Sequence, residues 1–355
     1  MQKGKVKLMK NKILRFEITD RCNMRCDMCW SKEWKHNDLS GEEVAKIIRD
    51  FKKNGGSTIV LTSREPLLSK NFKLVIELCK KEKLDLKVLT NATLITDEIA
   101  KYIIESNIIS FIAISIHGTY EEHDNITGVH GSLKKAIEGI QNLNKYKKIN
   151  TTNLPEIRLT TVVSKETINS IDFIINTAKE NLTQLRIQHY MWHPESVKNN
   201  HKEYLKKIYG IDDSIIDGFP SKCNIDYKDV INLLEYAESR CKEEKIDLQI
   251  YPKMTSNEIK NWYQSDCEQV FQSGYCQHVA DSIRLRANGE ISLCQYIDLI
   301  IGNIGNKTMR DILSDKLLND IGENLKRGMI FPICNRCCHI EEKELKEDKI
   351  SNSKI

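Results

Sequence analysis

No stretch of this sequence is long and apolar enough to span a membrane. The longest uncharged apolar run, residues 106–116, is broken by Asn107, Ser110 and Ser115, and a span needs roughly 18 or more apolar residues. The basic segment Met1 to Lys12 leads into no apolar stretch of the signal-peptide kind. Export is therefore not expected, and a cytoplasmic location is. An excess of one charge is lacking too: 54 basic residues stand against 50 acidic ones, a net charge of +4, with the signs interleaved. That balance gives no case for a nucleic-acid partner. No internal repeat is visible beyond an alternation of strands and helices.

With 40% hydrophobic and 29% charged residues, the chain reads as globular. Its 355 residues correspond to about two domains at roughly 150 residues each. What is abundant is cysteine, with twelve in a chain that shows no export signal. In a reducing compartment, clustered cysteines are metal ligands or catalysts more often than disulfides. Cys79 and Cys241 sit in helical patterns and read equally well as small buried hydrophobes.

From residue 13 to 190 short β-rich runs alternate with segments of helical period. Strands are expected at 13–19, 58–62, 86–90, 110–116, 157–163 and 185–190. Helices are expected at 41–53, 71–83, 97–106, 132–146 and 168–180, with Ser40 and Thr96 as caps. Repeated strand–helix units imply a parallel sheet with right-handed crossovers. The expected fold class is α/β, a partial (β/α)6 barrel, with an open doubly wound sheet as the alternative. Trp192 to Asn224 breaks the rhythm and reads as an insertion, long enough to cap a site. A helix at 227–244 and an extended segment at 247–251 follow. Ser282 to Leu293 reads as a β-hairpin turning at Asn288-Gly289, followed by two helical segments. The expected division is an extension (1–12), the barrel (13–192), insertion and connecting helices (193–266), a small C-terminal hairpin-and-helix unit (267–340) and a charged tail (341–355).

The first strand runs into Asp20-Arg-Cys22-Asn-Met-Arg-Cys26-Asp-Met-Cys29-Trp30. Structural zinc sites favour four ligands in paired spacings. Three close thiolates can instead hold three irons of a [4Fe–4S] cluster and leave the fourth open. The loop follows a strand, where α/β folds place their sites. The spacing C-x3-C-x2-C resembles that of the radical S-adenosylmethionine superfamily. The resemblance implies a [4Fe–4S] cluster on Cys22, Cys26 and Cys29 whose free iron chelates S-adenosylmethionine. It also implies a 5′-deoxyadenosyl radical that takes hydrogen from a substrate, and an electron donor such as flavodoxin or ferredoxin.

The resemblance continues downstream. Where the family carries Gly-Gly-Glu-Pro, this chain has Ser63-Arg64-Glu65-Pro66, which places Glu65 at the methionine ammonium and departs at both glycines. Arg64 either turns outward or reaches an anionic group of the substrate. Met28 stands where the family prefers an aromatic residue, and Trp30 is a candidate cover for the adenine. Ser115-Ile116-His117-Gly118 is similar to the family's Ser-Leu/Ile-Asp-Gly, so Ser115 is expected on the cofactor while His117 replaces the usual Asp. His123 and His130 follow as ordinary loop histidines. Arg158 and Gln188 lie on the fifth and sixth strands, where relatives place polar cofactor contacts.

A second cysteine group joins Cys276, then Gly289-x4-Cys294, to Cys334-x2-Cys337. Four thiolates can close either a zinc or a full [4Fe–4S] site. Beside the first motif, this spacing resembles the SPASM/Twitch group. No cysteine follows Cys338, so the Twitch form with one auxiliary [4Fe–4S] cluster is expected. Cys338 could replace Cys337, and Cys267 is unassigned. The resemblance implies oxidative chemistry, with the electron leaving through the auxiliary cluster. A peptide maturase is the favoured activity; a dehydrogenase or epimerase acting on a sugar or nucleoside is the alternative. An epimerase would need a thiol hydrogen donor, for which Cys223 and Cys338 are candidates. Only 21 residues precede Cys22, so a peptide substrate is expected to need a separate leader-peptide-binding protein or direct capture by the barrel.

Overall fold

The protein is described from a computed structural model, which covers residues 13–29, 38–264, 270–271, 274–328 and 331–340. Among these residues one ten-stranded sheet carries the fold. Its strands are β1 (Ile13–Phe16), β2 (Thr58–Leu61), β3 (Asp85–Thr90), β4 (Ile109–Ser115), β5 (Glu156–Val162), β6 (Gln184–Gln188), β7 (Leu248–Tyr251), β8 (Ser282–Leu285), β9 (Glu290–Cys294) and β10 (Ile297–Asn303). The spatial order is β10-β9-β8-β1-β2-β3-β4-β5-β6-β7. Strands β1 to β7 run parallel, as strand–helix alternation requires.

Alternation along the strands separates two faces. Leu14, Phe16, Leu159, Leu185 and Ile187 are fully buried beneath the outer helices. On the other face Leu89, Ala113, Thr160 and Gln188, from four successive strands, converge on one cavity. A sheet whose one face closes on a cavity is curled, so the fold is a partial barrel and not an open doubly wound sheet.

Four features differ from the sequence reading. The insertion contains a helix, Glu195–Tyr209. Its buried stripe of Val197, Lys198, His201 and Leu205 is half polar, which hides the helical period. Glu121 to Thr127 is likewise helical, within Tyr120–Thr127. The hairpin turns through three residues, 287–289: the Arg286 N–H donates to the Glu290 carbonyl at 2.8 Å, and Gly289 takes φ +84°. Finally, β10 is a third strand after the hairpin, and β8 pairs in parallel with β1, so the C-terminal unit extends the barrel sheet.

The insertion is bolted to the C-terminal cysteine segment. Trp192 Nε1 donates to the Trp262 carbonyl, which also accepts from Nε of the fully buried Arg336. The Arg336 guanidinium lies over the Trp192 ring, 4.5 Å from its centroid. Next to this core, burial holds His193 neutral and pushes its pKa down to about 3, with Arg336, His201 and Lys198 acting in the same direction. His189 is pushed to about 3 by burial alone. Below pH 6.5 the unfolded chain binds protons that these two rings refuse. Stability is therefore full above about pH 6.5 and is lost progressively as pH falls toward 3. Thermal unfolding between pH 7.5 and 5 should show this fall, and His193→Phe should flatten it.

Candidate active site

The three-cysteine loop leaves β1 at its C-terminal end and is pinned from outside. The Arg25 and Asp27 N–H groups donate to the Thr127 and Ile126 carbonyls, both at 2.9 Å. These acceptors are orphan carbonyls at the end of helix Tyr120–Thr127. Gly128 closes that helix at φ +66°, and a Cβ there would lie 3.4 Å from the Arg25 side chain. A second brace is polar: the Asn91 amide donates to Asn23, which donates to Thr93.

Cys22, Cys26 and Cys29 line a cavity of about 600 Å³ together with Ser63, Arg64, Thr90, Asn91, Ser115 and Gln188. Ser115 and Gln188, the expected cofactor contacts, are thus both on the cavity wall. Burial pushes the Cys26 thiol up to about 12, with the Cys29 and Cys22 sulfurs adding to the shift. Burial raises the Cys22 thiol as well, and thiols that resist ionisation are a poor set of free nucleophiles. They suit a metal centre, whose positive charge stabilises the thiolates. Among the described residues, no three His, Cys, Asp or Glu side chains close on a single metal-ion position. The thiols influence one another across a wider spacing, which a four-iron centre with one thiolate per iron can use.

The missing glycines have a structural answer. Ser63 and Arg64 adopt φ +59° and +42°, the left-handed region that glycine normally supplies. The backbone shape is kept in spite of the side chains. Ser63 is held there by Arg284 of β8, whose guanidinium donates to the Ser63 hydroxyl and pairs with Glu17. Glu65 departs from the expectation. Its carboxylate is fully buried behind the cavity wall, and it accepts from the Thr90 hydroxyl at 2.8 Å and the Asn91 and Leu67 N–H groups at 2.8 and 3.1 Å. Burial raises its pKa to about 7 against these three donors. Glu65 therefore shapes the site by joining the loop after β2 to the end of β3.

Arg158 also departs: it is absent from the cavity wall and donates instead to Gln249 of β7. Cys223, the candidate hydrogen donor, lies outside the cavity wall and acts on Tyr190 and Tyr263. Trp30 and Cys267 lie outside the described residues. His130 is exposed, whereas His117 and His123 are buried on the cavity wall. The His117 backbone N–H donates to His123 Nδ1 at 3.0 Å, which places the proton of the neutral ring on Nε2. That Nε2 and His117 Nδ1 are buried without a hydrogen-bond partner. Burial lowers the two pKa values to about 4 and 3, so both rings are neutral at physiological pH. The pair is not legible in the sequence, where His123 reads as a loop histidine although it lies on helix Tyr120–Thr127. A cavity with hydroxyl, amide, guanidinium and unpartnered imidazole groups over an apolar floor fits a zwitterionic amino acid joined to a nucleoside.

The thiols of the second group lie within electrostatic reach of one another. Cys276 precedes the short helix Gln277–Asp281, Cys294 ends β9, Cys334 lies within the turn Pro332–Arg336, and Cys337 follows that turn. Cys334 feels Cys276 and Cys294, and Cys337 feels Cys334 and Cys294. Backbone N–H groups of Tyr296 and His339 are directed at the sulfurs of Cys294 and Cys337, each at 3.4 Å. Such donors stabilise metal-bound thiolates. Cys338 is a fifth thiol in the group, 3.5 Å from the Tyr296 hydroxyl.

Comparison with known proteins agrees with this geometry. The Radical SAM superfamily model matches residues 16–176, and the SPASM iron-sulfur cluster-binding domain model matches residues 276–338. The chain belongs to the radical S-adenosylmethionine superfamily and carries an SPASM domain. It is 25% identical over 334 residues to a GTP 3′,8-cyclase of Peptoclostridium acidaminophilum, covering 89% of this chain and 93% of that one. It is 22% identical over 299 residues to the sporulation killing factor maturation protein SkfB of Bacillus subtilis, covering 83% of this chain and 63% of that one. The fold is similar to Streptococcus suis SuiB bound to its precursor peptide SuiA, with a TM-score of 0.64 and 16% identity over 91% of this chain and 71% of that one. The chain spans 34% to 63% of the length of four of the curated relatives it matches. No helix among the described residues is long and apolar enough to cross a membrane.

Proposed function

We propose that this radical S-adenosylmethionine enzyme is an oxidative maturase of a ribosomally made peptide. The bound cluster and S-adenosylmethionine would supply a 5′-deoxyadenosyl radical able to remove one substrate hydrogen atom. Cys22, Cys26 and Cys29 would hold the first [4Fe–4S] cluster. Ser115, Gln188, Asn91 and the His117–His123 pair would orient S-adenosylmethionine. Cys276, Cys294, Cys334 and Cys337 would hold one auxiliary [4Fe–4S] cluster, the destination of the electron lost by the substrate. The observation that carries an oxidative reading is the pairing of a cavity-lining thiol set with a second one outside that cavity, of which Cys276 and Cys337 are buried and Cys294 and Cys334 half-buried. The likeness to SkfB over 83% of this chain supports a peptide. A flavodoxin or ferredoxin would serve as reductant, and a separate protein could deliver the peptide's leader segment.

A second reading, a small molecule such as a nucleoside, is favoured by the match spanning 93% of a GTP 3′,8-cyclase. One assay separates the two. Reduced holoenzyme is given S-adenosylmethionine and any short peptide encoded beside its gene, in deuterated water. Maturation predicts a peptide lighter by one H2 with no new carbon-bound deuterium. An unaltered peptide would reject the maturase reading. Unchanged composition with one solvent deuterium, lost in Cys223→Ala, would indicate epimerisation. The oxidative route also predicts that Cys276→Ala or Cys334→Ala keeps 5′-deoxyadenosine formation while oxidised product falls steeply.

A further inference from the structure

Two arginines sit side by side in the barrel with no acid among the described residues paired to either. Arg158 of β5 and Arg186 of β6 donate to the same neutral acceptor, Gln249 Oε1 of β7, at 2.9 and 2.7 Å. The Nε of each is buried without a hydrogen-bond partner. Arg158 lies over the Phe111 ring and Arg186 over the Tyr251 ring, 4.5 and 4.7 Å from the centroids. Asp247 is felt by Arg158 without pairing to it, and Arg186 feels Tyr251 and Cys338. Burial and then the neighbouring Arg186 lower the Arg158 pKa to about 10.

Two adjacent, partly buried cations sharing one neutral oxygen are costly for the fold alone, and each unpartnered Nε calls for a reason. The guanidinium fork matches a carboxylate or phosphate. The location matches as well. Arg158 is in register with Ala113 and Arg186 with Thr160, and both of those neighbours line the cavity. The aromatic rings beneath hold each fork in place.

We propose that Arg158 and Arg186 form a subsite for an anionic oxygen group of the substrate, a carboxylate or a phosphate. An anion clamped there tethers the substrate beside the cavity and selects which C–H bond faces the cofactor. The proposal rests on the reading that substrate enters the barrel, and applies equally to a peptide carboxylate and a phosphorylated small molecule.

The test is thermal unfolding of the anaerobic holoenzyme with glutarate or inorganic phosphate titrated at constant ionic strength against chloride. Neither peptide nor cofactor cleavage is involved, so this test and that of the maturase reading fail independently. At least one anion should raise the midpoint of the wild type saturably. In Arg158→Gln/Arg186→Gln the apparent Kd should weaken about tenfold or more. The anion-free midpoint should hold or rise, because the repulsion is gone. Arg158→Lys/Arg186→Lys, which keeps the charge and loses the fork, should fall between. Saturation by glutarate alone assigns a carboxylate, and by phosphate alone a phosphate. No saturable response in the wild type, or the same response in wild type and both variants, overturns the proposal. So does a lowered anion-free midpoint with the anion response intact, which would make the pair structural.

Discussion

Replacing Cys22, Cys26 and Cys29 together by Ala is expected to halve the iron of the reconstituted protein, from about eight to about four per chain. Release of 5′-deoxyadenosine should disappear with it. The three sulfurs are the thiols on the cavity wall, whereas Cys294 and Cys334 of the second group lie on β9 and in the C-terminal turn. The loop itself should keep its place, since the bonds from Arg25 and Asp27 to helix Tyr120–Thr127 use backbone atoms. Iron analysis and chromatography of the nucleoside product read both effects. Retention of about eight irons would show that the clusters are assigned to the wrong thiols.

The second large effect concerns Arg284. Its side chain is 3% exposed and pairs with Glu17, itself 14% exposed. It also donates to Ser63 and, at 3.0 Å, to Gln295 Oε1. Arg284→Met would leave the half-buried Glu17 carboxylate without its partner, a loss on the order of 1–3 kcal/mol. It would also free Ser63 from its left-handed backbone conformation. A fall in thermal midpoint of several degrees is expected, along with weaker S-adenosylmethionine binding measured by calorimetry. Glu17→Gln combined with Arg284→Met should recover most of the stability but not the binding. Recovery of both would show that Ser63 needs no anchor from β8.

The parallel strands were legible because their buried positions alternate with lumen positions, as in Glu156–Val162, where Ile157, Leu159 and Thr161 are buried. The closeness of the thiols within each group was legible from spacing: Cys22, Cys26 and Cys29 meet on one cavity wall, and Cys334 lies within reach of Cys276 and Cys294. The helix at Glu195–Tyr209 was not, because it buries Lys198, whose ammonium is satisfied by the Phe219 carbonyl at 2.6 Å and the Ser221 hydroxyl at 2.9 Å. No local pattern predicts such distant partners. Strand β10 was missed because Ile297–Asn303 follows β9 after only two residues and pairs with register shifts. For Glu65 the residue was identified but not its direction, which depends on donors from β3 some 25 positions away. The Arg158–Arg186 pair was invisible for the same reason: the strands that bring the two together are 28 residues apart.

The central claim is that the Cys22–Cys26–Cys29 loop presents a cluster with an open iron to S-adenosylmethionine. Electron paramagnetic resonance of the reduced Cys276→Ala/Cys334→Ala protein isolates that cluster. Adding S-adenosylmethionine should shift its spectrum, and warming the sample should release 5′-deoxyadenosine. A spectrum unchanged by S-adenosylmethionine, with no nucleoside released, would contradict the account.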